Sequence, residues 1–323
     1  MKQPHELPEF RRHPAPDAAK HWIGDQWLAV RRVSQGGEPA VMIHGLGGTS
    51  LNWTDVAYGL EGRLDSWAVD LPGFGESPRP VDGDYSPATY ANSIKRLVDS
   101  QIGEKVHVFG NSLGGAVALQ FAGRYPELVR STTLISPSLP RSANFSLSLQ
   151  GLTLPIALLP GVGDRFMQWY MRLPPADRVR RTYEHVFADV ANASAVRIDE
   201  AVTAQRYRDE LGYATEVFVS ALRALVRNHL ERGPERPYRL AARIDSPTLL
   251  IYGHHDNLVD PRSVHRAAQE IPKARAVLLP ESGHVAQMEH PELVIELWDA
   301  LIGSRVGRAL DDDDPVAHIS RRS

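Results

Sequence analysis

Six short apolar blocks, at 40–43, 67–71, 106–109, 132–135, 248–252 and 276–279, alternate with longer stretches of helical patterning. Compact β-rich blocks of this kind are expected for strands covered on both faces. Their alternation with helices predicts an α/β fold built on a mostly parallel, doubly wound sheet. A further segment at 26–33 precedes them and predicts an antiparallel edge strand.

Helix starts are marked by turn chemistry. Ser86-Pro87 reads as N-cap and first residue of a helix running to about residue 101, and Asp260-Pro261 does the same for 262–270. Pro291 opens a last helix, with Leu293, Leu297 and Leu301 on one face. Between 137 and 243 the strand rhythm stops. A helical pattern is clearest at 213–232, where Val217, Phe218, Ala221, Leu222 and Leu225 share a face. The predicted layout is therefore a sheet domain at 1–136 and 244–303, a helical insertion at 137–243, and an acidic, disordered tail at 304–323 that carries Asp311–Asp314.

Composition narrows the function classes. Lys+Arg 36 against Asp+Glu 39 leaves a net charge of −3, which argues against nucleic-acid binding through bulk charge. Cysteine is absent, so disulfides, thiolate nucleophiles and thiolate metal sites are excluded. The longest apolar stretch, 147–163, is broken by Gln150, Pro155 and Pro160 and is too short to span a bilayer. No apolar region of a secretory signal is visible near Met1, so the expected location is cytoplasmic.

Gly110-Asn111-Ser112-Leu113-Gly114 fits G-x-S-x-G, directly after one apolar block and before a helical pattern at 115–124. In a strand–turn–helix setting such a serine stands on a sharp turn as a nucleophile. His44-Gly45-Leu46-Gly47-Gly48 follows another block, where a glycine-rich loop presents backbone N–H groups to an anion. Neither nucleotide fingerprint, G-x-x-x-x-G-K-[ST] nor G-x-G-x-x-G, fits there, and His44 reads as a loop-building residue. Gly283-His284 follows the block at 276–279, at the strand end where open α/β sheets place their sites. Asp256 lies beyond the block at 248–252; the competing acid, Asp260, precedes Pro261 and reads better as a helix cap. His254 and His255 are adjacent and point apart in extended chain, so no metal is assigned.

Taken in order, HGLGG at 44–48, DLPGFGES at 70–77, GNSLGG at 110–115, YGHHD at 252–256 and GH at 283–284 resemble the alpha/beta-hydrolase superfamily. The order Ser112…Asp256…His284 is the order of that superfamily. The resemblance implies a helical cap at 137–243 and a serine hydrolase that needs no cofactor. It further implies that Ser112 attacks, His284 moves the proton and Asp256 orients the imidazole. The backbone N–H groups of Leu46 and Leu113 would hold the oxyanion. One departure is Pro261, five residues beyond the acid where relatives often have proline at four.

Ser112 argues against the dehalogenase and epoxide hydrolase branches, which carry Asp at this turn. Cleavage of carboxylic esters is the broadest remaining expectation. A second is hydrolysis of carbon–carbon bonds in aromatic or steroid ring-fission products, suggested by Gly110-Asn111-Ser112 and by 283–290. Those relatives typically have Trp after the histidine, where this chain has Val285. Cofactor-free haloperoxidase activity is compatible with the same triad. A non-catalytic binding protein on this fold is the reading of another class. Apolar residues of the insertion, Leu152, Leu154, Ile156, Leu158, Leu159, Phe166, Trp169 and Tyr170, suggest a small hydrophobic substrate, or packing of the insertion on itself.

Overall fold

Seven of the strands run parallel, and the six that carry the apolar blocks are covered by side chains on both faces. The computed structural model describes residues 12–140, 169–303 and 316–318. Its strands are β1 (Ala19–Trp22), β2 (Trp27–Val33), β3 (Glu38–Ile43), β4 (Leu64–Val69), β5 (Val106–Asn111), β6 (Val129–Ile135), β7 (Thr248–Gly253), β8 (Ala274–Leu279) and β9 (Val316–His318). They form one sheet in the order β1-β2-β4-β3-β5-β6-β7-β8-β9. β2 is antiparallel to β1 and β4, and the remaining pairings are parallel.

The apolar blocks of the sequence fall on β3 to β8. Segment 26–33 is antiparallel as expected, but it is not the edge, because β1 pairs outside it. β1 reads Ala-Lys-His-Trp and is mostly exposed, so it has no apolar pattern from which to predict a strand. Within the stretch expected to be a disordered tail, β9 pairs with β8.

The helices are α1 (Thr54–Gly59), α2 (Pro87–Leu97), α3 (Leu113–Arg124), α4 (Pro175–Val186), α5 (Ala195–Glu210), α6 (Ala214–Leu230), α7 (Pro237–Ala241), α8 (Ser263–Glu270), α9 (Ala286–Glu289) and α10 (Pro291–Gly303). Ser86 caps α2 by accepting from Thr89 N–H, as its sequence predicts. Alternate strand residues face opposite layers. Val41, Ile43, Val108 and Leu250 pack with Ile94, Val117 and Val264 from α2, α3 and α8. Ala40, Met42, Phe109 and Ile251 pack with Val56 and Trp298 from α1 and α10. On this second face Phe109 lies between Trp53 and Trp298, each with its ring centroid 6.1 Å away. Burying side chains of this size contributes about 1.5–3 kcal/mol each.

Between β6 and β7 lie α4 to α7, the described helices of the insertion. The expected apolar residues Leu152, Leu154, Ile156, Leu158, Leu159 and Phe166 lie outside the described residues. Among the described residues, no helix is long and apolar enough to cross a membrane.

Register sets the functional edge. Ile43 pairs with Gly110 and Val69, Asn111 with Ile135, Ile135 with Ile251, and Gly253 with Leu279. The C-terminal ends of six parallel strands therefore lie along one border, and all the motif loops leave from it. Close contact between α3 and β3 keeps that border tight. A methyl group on Gly114 would stand 2.1 Å from the Ile43 carbonyl oxygen.

Gly114→Ala should lower stability by about 2 kcal/mol or more, since overpacked sites lose about 1–3 kcal/mol. Gly36→Ala, with nothing within 4 Å of the new methyl, should change it by less than about 0.5 kcal/mol. Urea unfolding of both variants tests this, and equal losses would contradict the packing argument.

Candidate active site

Ser112 sits between β5 and α3 with φ 55° and ψ −114°, a conformation that strains any residue with a side chain. Holding it requires about 1–3 kcal/mol from the surroundings. Backbone bonds provide that restraint. Ser112 N–H donates to Ile135 O at 3.0 Å, and Ser112 O accepts from Ala116 and Ser138 N–H, each at 3.0 Å. Gly110 leaves room for the turn, since a methyl there would lie 2.3 Å from Gly114 O. Leu113 then begins α3, so its N–H belongs to a helix start with partial positive charge.

The glycine-rich loop after β3 lies beside this turn. A methyl on Gly45 would come within 3.3 Å of Ser112 Cβ, which brings the Leu46 segment next to the serine. His44 is fully buried and builds the loop from beneath. Its Nδ1 donates to Gly45 O at 2.7 Å, and its Nε2 accepts from Leu71 N–H at 3.0 Å. Burial lowers its pKa from the ordinary histidine value, so the ring stays neutral in this bonding pattern.

Asp256 and His284 meet from the loops after β7 and β8. His284 Nδ1 donates to Asp256 Oδ2 at 2.9 Å, with both side chains buried. The other carboxylate oxygen accepts from Leu258 N–H at 2.8 Å and Val259 N–H at 2.9 Å. Burial works to raise the Asp256 pKa. His284, the Val259 N–H and the Ser136 hydroxyl outweigh it, and the carboxyl is held below its ordinary range. Asp260 instead turns to Arg262, accepting its backbone N–H at 3.0 Å and pairing with its guanidinium at 2.8 Å. It is not the expected cap of α8, which begins at Ser263 with Arg262 at its N-cap and no side-chain cap bond.

Sequence reasoning missed several contacts that complete the site. Asn111, quoted only as part of the motif, donates from Nδ2 to His284 O at 2.9 Å and Ile135 O at 3.1 Å. It thereby ties the histidine loop to the serine turn. From the insertion, Arg208 donates to Gly47 O, and Phe218 would touch a methyl on Gly47 at 3.1 Å. A methyl on Gly73 would likewise lie 2.8 Å from Val217 Cγ1. Nothing in the sequence marks Arg208 among 36 basic residues, while Val217 and Phe218 were legible only as one helix face. Of the other expected residues, Trp169 is half exposed, and Tyr170 donates to Arg178 O at 3.3 Å.

The profile of the alpha/beta hydrolase fold matches residues 39–291. The chain belongs to this family. It is 30% identical to Lipase 1 of Psychrobacter immobilis over 82% of this chain and 77% of that one. Among solved structures, a membrane phospholipase A superposes with a TM-score of 0.73, at 21% identity over 90% of this chain and 87% of that one. A meta-cleavage product hydrolase gives 0.70, at 22% identity over 89% and 98%. The first match supports a hydrolase, and the two structural matches share its fold.

The buried His44 of this hydrolase has a consequence for acid stability. Its folded pKa is depressed, so the unfolded chain binds the extra proton first. Its contribution is present above the unfolded value of about 6.5 and is lost as pH falls below it. Between pH 7.5 and 5.5 the wild type should lose up to about 1.4 kcal/mol more than His44→Gln in urea unfolding. Equal losses would mean that His44 does not titrate this way.

Proposed function

We propose that the protein is a serine hydrolase cleaving carboxylic esters of small to medium hydrophobic substrates through an acyl-enzyme. The observation that carries this reading is the buried Asp256–His284 bond of 2.9 Å on the sheet edge that also holds the strained Ser112. With Nδ1 engaged by Asp256, Nε2 of His284 is the nitrogen left to accept the Ser112 proton. Ser112 Oγ adds to the ester carbonyl, and the oxyanion forms beside the N–H groups of Leu46 and Leu113. Each such donor is worth about 3–4 kcal/mol in serine enzymes. His284 then gives its proton to the leaving alcohol. Water, deprotonated by the same nitrogen, releases the acid and restores Ser112. No step calls for a cofactor.

The likeness to Lipase 1 supports ester cleavage. Val217 and Phe218, set against Gly73 and Gly47, supply apolar surface next to the oxyanion loop and support a hydrophobic acyl group. In this reading the insertion is the cap that shapes the pocket, and the substrate is the one partner required.

A second reading, carbon–carbon bond hydrolysis, draws on the likeness to a meta-cleavage product hydrolase and on Asn111 beside Ser112. Against it, Val285 is buried with Val179, Tyr183 and Phe187, an apolar setting with no indole donor at that position.

Ser112→Ala should fold and lose p-nitrophenyl ester hydrolysis by more than about 10³-fold, and a fluorophosphonate should label the wild type at Ser112 alone. Full activity in the variant, stoichiometric binding without turnover, or labelling elsewhere would refute the nucleophile. The same panel, run beside a vinylogous 1,5-diketone acid, decides between the two readings. A higher kcat/KM for the diketone than for every ester would move the substrate class.

Asp256→Asn should reduce kcat by about 10²- to 10⁴-fold through the wrong histidine tautomer. Asp260→Asn should stay within about threefold, because that side chain faces Arg262 rather than His284 and Asn keeps an acceptor for the Arg262 N–H. Steady-state kinetics showing the reverse order would transfer the acid to Asp260.

A further inference from the structure

The histidine loop is bonded to the insertion as well as to the sheet. His284 N–H donates to Val186 O, at the end of α4, at 2.7 Å. The neighbouring Gly283 N–H donates to Oε2 of Glu289 at 2.7 Å. Oε1 of the same carboxylate accepts from two successive amides of the insertion, Ala188 N–H at 2.9 Å and Asp189 N–H at 3.0 Å. The Ser282 hydroxyl lies at 3.5 Å from Oε2. Contact along this seam is tight, since a methyl on Gly283 would lie 2.5 Å from Val186 O.

Glu289 is 3% exposed, and no cation pairs with it among the described residues. A buried carboxylate is expensive to desolvate, and here its compensation comes from backbone N–H donors on both sides of the seam. Only an acceptor with two oxygens and no hydrogen satisfies donors on opposite sides at once. We propose that Glu289 is a positioning residue whose carboxylate bridge makes the placement of His284 depend on the docked insertion. The proposal rests on His284 being the proton carrier of the serine mechanism above.

Glu289→Gln keeps the size but turns an N–H₂ toward N–H donors, so one half of the bridge opens. The expected result with p-nitrophenyl butyrate is a kcat lower by about 10- to 100-fold with KM within about threefold, since small misplacements of reacting groups have effects of this order. Fluorophosphonate labelling of Ser112 should slow in proportion. Arg197→Gln is the control. It breaks a different tie between insertion and core, the Arg197–Asp55 pair at 2.9 Å, and should lower Tm while leaving kcat within about threefold. If Glu289→Gln does not fold, Ala188→Pro removes one donor from the insertion side and should lower kcat in the same direction. Unchanged kcat in the folded variant, or an equal fall in Arg197→Gln, would overturn the positioning role. Ser112→Ala, measured alongside, separates the failures: if its turnover survives, the serine mechanism itself is wrong.

Discussion

The strained turn at Ser112 is the constraint on which the other loops depend. A residue with a side chain holds φ 55° there because Ile135 O, Ala116 N–H and Ser138 N–H fix its backbone from three directions. Those partners belong to β6, to α3 and to the start of the insertion. The turn therefore exists only when sheet, helix and connection are all in place. α3 must also press against β3 and the turn, and glycine at 110 and 114 is what permits it. The same pressure that strains Ser112 brings the loop after β3 beside it. Strain and proximity here are two results of one packing arrangement.

Buried carboxylates organise the loops around that turn, and each does so through backbone amides. Asp70 accepts from Ser50 N–H at 2.6 Å and Glu76 N–H at 2.9 Å, joining the segments after β3 and β4. Asp256 accepts from Leu258 and Val259 N–H while holding His284. Glu289 accepts from Gly283 on one side and from Ala188 and Asp189 on the other. Loops leaving a sheet edge have unpaired amides that would be costly to bury. A carboxylate satisfies two or three of them at once, so the loops are fixed in place without regular secondary structure.

Much of this was legible in the sequence where burial left a pattern. β3 to β8 are covered on both faces, so their apolar runs are continuous and easily read. β1 is short and exposed, and β9 is three residues long, just after Asp311–Asp314; neither offers a periodic signal. Asp256 and Asp260 are both placed beyond β7, and spacing alone does not separate them. The structure does, because the Asp260 carboxylate turns to Arg262 while Asp256 meets His284. Asp260 is not the helix cap that Pro261 suggests, since the helix begins at Ser263 with Arg262 at its N-cap. Arg208 and Phe218 were not assigned to the site, because which face of an inserted helix meets the Gly47 loop is a property of tertiary packing. Asn111 and Glu289 are intermediate. Both stand within a few residues of the proposed chemistry, yet their partners lie up to 173 positions away.

The insertion and the sheet edge consequently act as one body at the histidine. Two backbone bonds fix His284, one from the Asn111 side chain and one to Val186 O. The first comes from the strand that carries Ser112, and the second from the insertion. With the ring held by Asp256, His284 is tied at once to the strand that carries Ser112, to Asp256 and to the insertion. In the proposed mechanism His284 moves a proton between serine and leaving alcohol, a task that needs this restraint because reach and angle decide the transfer as much as basicity does. The sheet carries Ser112, Asp256 and His284 on its loops, and the insertion adds a backbone bond to the last of them.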